Sequence, residues 1–351
     1  MKPIHFVRYM NQLFDGIEPP PITLEIDLTN RCNFHCPHCT DEYLHNNAEM
    51  DADVIIETVK RAALIGTKSV VIKGGGEPTV HKNFSHIVEA ISKDVEIGLV
   101  SNGFNLQEEK IRESIIQHCN WIRVSLDSAT ATTHSKIHGV GVKSYPLIIS
   151  SLTRLNKERV GKKLTVGVNF CITDDNYTEL FAAAKTVKHI GCDYISIRFA
   201  QIEGNKILSA KCFFESAIAI EKCKKLESDN FYINSRGSAE GFYWKRRLYL
   251  LRKVKHEWTD CVAPCLSAQI LATGDVIPCC FIKPYNEFVY GNIKKKPFDK
   301  IWMSTQHKRV LAKVKKQQCE IYCRGRSSST RFDDLNKVFS YLKNNKEPDF
   351  L

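Results

Sequence analysis

Two hydrophobic periods alternate along the first 200 residues. Short apolar runs appear at ITLEIDL (22–28), SVVIKGG (69–75), VEIGLVS (95–101), WIRVSLD (121–127), LTVGVNFCIT (164–173) and YISIRFA (194–200). Runs of this length, rich in β-branched residues, read as buried strands. Between them apolar residues return at helical spacing. In 51–66 they are Ile55, Val59, Ala62 and Ala63, with Asp51 placed as N-cap and Gly66 as terminator. Similar patterns cover about 84–93 and 107–118, and further helical segments lie before the last two strands. Strands alternating with helices predict an α/β fold with a parallel sheet of βαβ units. Such sheets place their chemistry at the carboxyl ends of the strands. The residues that follow those strands, including Gly74–Glu77, Ser101, Asn102 and Asp127, are expected on one rim.

The pattern changes after residue 205. A helix is expected over 208–227, then a basic stretch, KRRLYLLRKVK (245–255). The run QILATGDVIPCC (269–280) predicts two short strands around a Thr273-Gly274-Asp275 turn. A helix over about 298–317 leads to Cys319-Glu-Ile-Tyr-Cys323, and one amphipathic helix closes the chain. The expected division is a core at 1–205, a helical linker at 206–256, a small cysteine-rich α+β domain at 257–325 and a helical tail at 326–351.

Composition narrows the class. The chain has 351 residues, 43 % apolar and 25 % charged, as in an ordinary globular protein. No apolar run approaches the ~18 residues a membrane helix needs. The opening MKPIHFVRYMNQLFDG lacks the apolar core of a secretion signal, so a cytoplasmic protein without a membrane anchor is expected. Lysine and arginine number 50 against 39 acids, a net charge of +11 that suits a phosphorylated small molecule. Lys245–Lys255 and Lys294–Lys316 are candidate phosphate holders, or equally solvated lysine-rich faces. Nucleic acid is not expected as a partner. The 14 cysteines are unusual, and in an intracellular chain they point to metal or redox chemistry. Cys119, Cys171, Cys192, Cys212 and Cys223 are scattered and read as small buried side chains.

The first cysteine group is LTNRCNFHCPHC, a C-x3-C-x2-C spacing in a loop after the first strand. Three thiolates can hold a cluster and leave one corner open, whereas His35 or His38 could complete a zinc site. The motif resembles that of the radical SAM superfamily, with His38 where an aromatic residue commonly stands. The resemblance implies a partial (β/α)6 TIM-like barrel and a [4Fe–4S] cluster held by Cys32, Cys36 and Cys39. The open iron would bind S-adenosylmethionine, whose reductive cleavage yields a 5′-deoxyadenosyl radical. Lys73-Gly-Gly-Gly-Glu77-Pro78 resembles the family's GGEP turn, which implies that Gly75, Gly76 and Glu77 contact the cofactor's amino group. Ser101-Asn102-Gly103, Ser125-Leu-Asp127 and Asn169 resemble further cofactor-side positions. Each of these alone also reads as a polar cap on a strand end.

The second group, Cys261, Cys265, Cys279, Cys280, Cys319 and Cys323, resembles the auxiliary-cluster region of SPASM and twitch enzymes. Gly274 before Cys279 and Tyr290-Gly-Asn-Ile293 after it fit that pattern. The resemblance implies one auxiliary [4Fe–4S] cluster on Cys261, Cys279, Cys319 and Cys323. Cys265 rivals Cys261, Cys280 is expected to be a bystander, and four thiolates also suit zinc. The chain departs from the pattern in having six cysteines and a final C-x3-C.

The expected activity is hydrogen abstraction from a small molecule, such as a sugar, aminocyclitol or nucleotide-linked metabolite, leading to oxidation or epimerisation. A one-electron reductant such as flavodoxin or ferredoxin is implied. With few residues before the first strand, no peptide-recognition domain is expected there. The alternatives are a radical SAM peptide or protein maturase, and a non-enzymatic zinc or iron–sulfur module. Arg198 and Glu203 are candidate acid/base groups, and Cys192, Cys212 and Cys223 candidate hydrogen donors.

Overall fold

The computed structural model describes residues 9, 11–13, 15–200, 208–235, 261–283 and 285–315. All six expected strands form: β1 (Thr23–Asp27), β2 (Ser69–Lys73), β3 (Glu96–Ser101), β4 (Trp121–Ser125), β5 (Thr165–Ile172) and β6 (Tyr194–Phe199). They pair in parallel in chain order. A further parallel strand, β7 (Tyr232–Ser235), pairs with β6. Its four residues, YINS, carry too little apolar signal to announce a strand.

The helices follow the expected order. α1 (Ala52–Ile65) starts where the Asp51 carboxylate accepts the Asp53 N–H at 2.9 Å. It ends at Gly66, whose φ of 126° releases the chain. Ile55, Ile56, Val59 and Ala62 bury one stripe against the sheet. α2 (Phe84–Ile91), α3 (Glu109–His118), α4 (Ala131–His138), α5 (Ser144–Glu158), α6 (Leu180–His189) and α7 (Ala210–Lys224) follow.

Strand residues alternate between two environments. Leu24, Ile26, Val70, Ile72, Ile97, Leu99, Ile122 and Val124 are fully buried among the helices. The other face of the same strands carries Glu25, Asp27, Lys73, Arg123, Ser125, Asn169 and Arg198. Gly98 and Gly167 leave space for the rings of Trp121 and Tyr194, since a Cβ at either would stand 2.0 Å from a ring atom. The concave side is therefore polar towards the carboxyl ends and aromatic near the amino ends.

The C-terminal cysteine region joins this sheet. α8 (Ala263–Leu266) leads into β8 (Ser267–Ile270), which pairs in parallel with β1. β9 (Asp275–Ile277) folds back on β8, and β10 (Gly291–Asn292) pairs with β9. One ten-stranded sheet results, in the order β10-β9-β8-β1-β2-β3-β4-β5-β6-β7. The expected turn is present, with Gly274 at φ 92°. The single helix expected over 298–317 is instead two, α9 (Phe298–Trp302) and α10 (Thr305–Lys315). The Ser304 hydroxyl accepts the His307 N–H at 3.1 Å and so starts the second. No described helix is long and apolar enough to cross a membrane.

Candidate functional site

The first cysteine loop leaves β1 at Asp27 and returns at Met50. It is closed at its base by Asn30 N–H to Ala48 O (2.8 Å), Met50 N–H to Leu28 O (3.0 Å) and an Arg31–Glu49 ion pair. Cys32, Cys36 and Cys39 are half-buried on it. Cys32 Sγ accepts the Phe34 N–H at 3.4 Å, and Cys39 Sγ lies 3.9 Å from His45 Nε2. Burial raises all three thiols, Cys32 to about 11, and the neighbouring cysteines raise Cys36 further. Their thiolates would thus be unfavourable here without a cationic centre. That donor set fits an iron–sulfur cluster. Among the described residues no three His, Cys, Asp or Glu side chains converge to hold a lone ion. A four-iron cube takes its thiolates on separate irons and asks for no such convergence.

The glycine turn after β2 is stitched to this loop. Gly76 N–H donates to Thr29 O at 3.0 Å and Glu77 N–H to Arg31 O at 2.9 Å. A Cβ on Gly75 would stand 2.2 Å from Asn30 Oδ1, and one on Gly76 2.0 Å from Arg31 O. Glycine is required at Gly76 because two backbones lie in contact, and at Gly75 because the Asn30 side chain fills the place of a Cβ. Glu77 is 3 % exposed. Its Oε1 accepts Thr79 N–H (3.1 Å), Thr79 Oγ1 (2.6 Å) and Ser101 Oγ (2.7 Å), and its Oε2 accepts Asn102 N–H (2.7 Å). Burial nevertheless raises its carboxyl above the usual range. Asn102 Nδ2 in turn donates to Asn33 Oδ1 at 2.7 Å, inside the cysteine loop. Cys32, Cys36, Cys39, Gly75, Gly76, Glu77, Ser101 and Asn102 thus occupy one connected part of the rim.

Further along the rim Ser125 and Asn169 are paired in register across β4 and β5. Beside them Asp127 has a left-handed backbone, φ 56°, and is 3 % exposed. Burial pushes its carboxyl up to about 7, partly offset by the Cys171 N–H at 2.5 Å and by the Asn169 side chain. Two residues absent from the sequence-based site also stand here. His138, at the end of α4, places Nδ1 3.2 Å from Cys36 Sγ and Nε2 3.2 Å from Leu126 O. Its ring lies 4.4 Å from that of His134. Burial lowers His138 to about 3, and the neighbouring histidines push the same way. The helical spacing of His134 and His138 was the available signal, but 102 residues separate His138 from Cys36.

In the second group Cys261 and Cys279 are half-buried, Cys265 is buried, and Cys280 is half-buried beside Cys279. Cys319 and Cys323 lie outside the described residues, as does Glu203. Arg198 stands on the concave face opposite Cys171. Cys192, Cys212 and Cys223 are buried, and Cys212 Sγ and Cys223 Sγ face backbone carbonyls. A separate cavity of about 710 Å³, lined by Lys68, Lys93, Lys162 and Lys163 among others, opens at the amino ends of β2–β4. It is at the opposite end of the sheet from the cysteine loop.

A family model for the Radical SAM superfamily matches residues 26–197, the stretch from the end of β1 through β6. The chain belongs to the radical SAM superfamily. A second match, to an iron–sulfur cluster-binding domain named SPASM, covers residues 261–325. These two matches imply a radical SAM [4Fe–4S] cluster, auxiliary iron–sulfur chemistry and S-adenosylmethionine as cofactors of this enzyme. Among curated relatives is a tungsten-containing aldehyde ferredoxin oxidoreductase cofactor-modifying protein of Pyrococcus furiosus, 23 % identical over 81 % of each chain. A GTP 3′,8-cyclase of Nautilia profundicola is 25 % identical over 81 % of this chain and 89 % of its own. The subtilosin biosynthesis protein AlbA of Bacillus subtilis is 23 % identical over 82 % of this chain and 60 % of its own. The structure of Streptococcus suis SuiB bound to S-adenosylmethionine aligns with a TM-score of 0.67 at 16 % identity, over 92 % of this chain and 76 % of that one. At such identity the alignment establishes a shared fold.

Proposed function

We propose that this radical SAM enzyme abstracts hydrogen from a polar small molecule held on the concave face of the sheet, giving oxidation or epimerisation in the cytoplasm. The observation that carries the reading is the mixed charge of that face. Glu25 of β1 pairs with Lys73 of β2 at 2.6 Å, and Arg123 of β4 and Arg198 of β6 stand farther along the same face. Such groups suit a hydroxylated, amino-bearing or phosphorylated ligand better than an apolar one. The relation to GTP 3′,8-cyclases supports a nucleotide-linked or similar metabolite.

The ligand assignments belong to the same proposal. Cys32, Cys36 and Cys39 would hold the [4Fe–4S] cluster, and Gly75, Gly76 and Glu77 would receive the cofactor's amino group. Ser101, Asn102, Ser125 and Asn169 would line its remainder. Cys261, Cys279, Cys319 and Cys323 would hold one auxiliary cluster, with electrons from a flavodoxin or ferredoxin. The catalytic core is assigned to 1–205, with α7 and β7 from the following 206–256 segment packed onto it, the auxiliary region to 257–325 and a tail to 326–351. With S-adenosylmethionine bound, the cluster supplies a 5′-deoxyadenosyl radical. The chain's own part is to hold the cofactor against the rim, keep water out and position the substrate carbon.

A second reading, modification of a peptide side chain, is favoured by the relation to AlbA, a bacteriocin biosynthesis protein. Reduced, reconstituted enzyme should be incubated with S-adenosylmethionine and either a panel of sugar phosphates, aminocyclitols and nucleotides or a panel of linear peptides. Stimulation of 5′-deoxyadenosine by a small molecule supports the first reading. Stimulation by peptides alone replaces it with the second, and no 5′-deoxyadenosine under any condition refutes both.

A further inference from the structure

The first cysteine loop and the C-terminal cysteine segment meet at one buried lysine. Lys283 lies four residues beyond Cys279, and its side chain is 2 % exposed. Its Nζ is 3.1 Å from Asp27 Oδ2 and 2.8 Å from Asp41 Oδ2. Asp27 closes β1 and is fully buried, and Gln269 Nε2 of β8 pins both its oxygens at 2.9 and 3.0 Å. Asp41 follows Cys39 by two residues. The ammonium is therefore fixed from both sides by carboxylates belonging to the radical SAM core, while its backbone belongs to the auxiliary region.

Lys283 is thus a buried cation lodged between the first cysteine loop and the segment that carries Cys279 and Cys280.

We propose that Lys283 is a shared counter-charge that helps set the reduction potentials of both iron–sulfur sites. The proposal rests on the ligand assignment made above. Adding an electron to a cluster makes its surroundings more negative, and a fixed cation nearby in a low-dielectric interior stabilises that reduced state. Asp41 works against it from beside Cys39. The two residues should therefore move the first cluster's potential in opposite directions.

The test is an EPR-monitored redox titration of the reconstituted full-length chain as wild type, Lys283→Met, Lys283→Arg and Asp41→Asn. Lys283→Met should shift both midpoint potentials to more negative values, and Lys283→Arg should keep them near wild type. Asp41→Asn should shift the first cluster's midpoint to a more positive value. Mere loosening of the loop would move Lys283→Met and Asp41→Asn the same way, which overturns the proposal. Unchanged midpoints in an iron-replete Lys283→Met protein overturn it too. If Lys283→Met does not fold, Asp41→Asn decides: a first-cluster midpoint that stays put or falls is incompatible with the proposal. A wild-type protein lacking one of the two cluster signals refutes the ligand assignment instead.

Discussion

Glu77→Gln is a nearly isosteric change with a calculable penalty. In the native site Oε1 serves three donors and Oε2 serves one, Asn102 N–H. An amide oxygen can replace only one of these positions. Placed at Oε1, it turns an NH2 group towards Asn102 N–H. Placed at Oε2, it turns the NH2 group towards Thr79 N–H, although the Thr79 and Ser101 hydroxyls can rotate to accept. Either orientation leaves one buried backbone donor facing another donor, which costs about 1–3 kcal/mol. Loss of a charged acceptor adds to this. Relief from burying a carboxylate subtracts from it, because burial already raises the Glu77 carboxyl. The net expectation is a destabilisation of about 1–3 kcal/mol, a sizeable share of the 5–15 kcal/mol that holds a typical domain together. The damage should spread, since Asn102 also holds Asn33 in the cysteine loop. Urea unfolding of the metal-free protein measures the first effect, and iron retained after reconstitution measures the second. A variant within about 0.5 kcal/mol of wild type, with full iron, would refute the bracing role assigned to Glu77.

Two other substitutions test other parts of the rim. Gly76→Ala forces a Cβ to within 2.0 Å of Arg31 O, a backbone atom that cannot rotate away. We expect about 1–3 kcal/mol of destabilisation by urea unfolding and a marked loss of S-adenosylmethionine cleavage, and unaltered values in both assays would contradict the close packing described. Asp127 has a folded-state value of about 7 against 3.8 for the free side chain. Below pH ~4 the group is neutral folded or unfolded. Between pH ~4 and ~7 only the unfolded chain ionises, so Asp127 lowers stability progressively, by at most about 4 kcal/mol above pH ~7. The stability of Asp127→Asn relative to wild type should therefore grow from pH 4 to 7 and then level off, and a flat difference across that range contradicts the burial assigned to Asp127.

Local pattern made most of the framework legible. β-branched runs and the Asp51 and Gly66 signals placed strands and helices because those features act within a few residues. The cysteine loop, the Gly74–Glu77 turn and Ser101–Asn102 were legible as a rim because each directly follows a strand of a parallel sheet. What escaped depends on distant partners. The pairing of β8 with β1 joins residues more than 240 positions apart, and nothing in SAQI specifies a parallel neighbour. His138 meets Cys36 only once α4 has packed across the rim, and Lys283 reaches Asp27 only through that same β8 pairing. β7 escaped for a different reason: half of its four residues are polar, and Tyr232 is 60 % exposed.

The central claim is that Cys32, Cys36 and Cys39 together hold the cluster at which S-adenosylmethionine is cleaved. Its most direct test is the amount of 5′-deoxyadenosine formed by anaerobically reconstituted, reduced enzyme, compared with Cys32→Ala, Cys36→Ala and Cys39→Ala proteins purified alongside. Turnover by the wild type and none by any of the three variants, each folded by circular dichroism, is the predicted result. Product formed at wild-type levels by any one of them would contradict the claim.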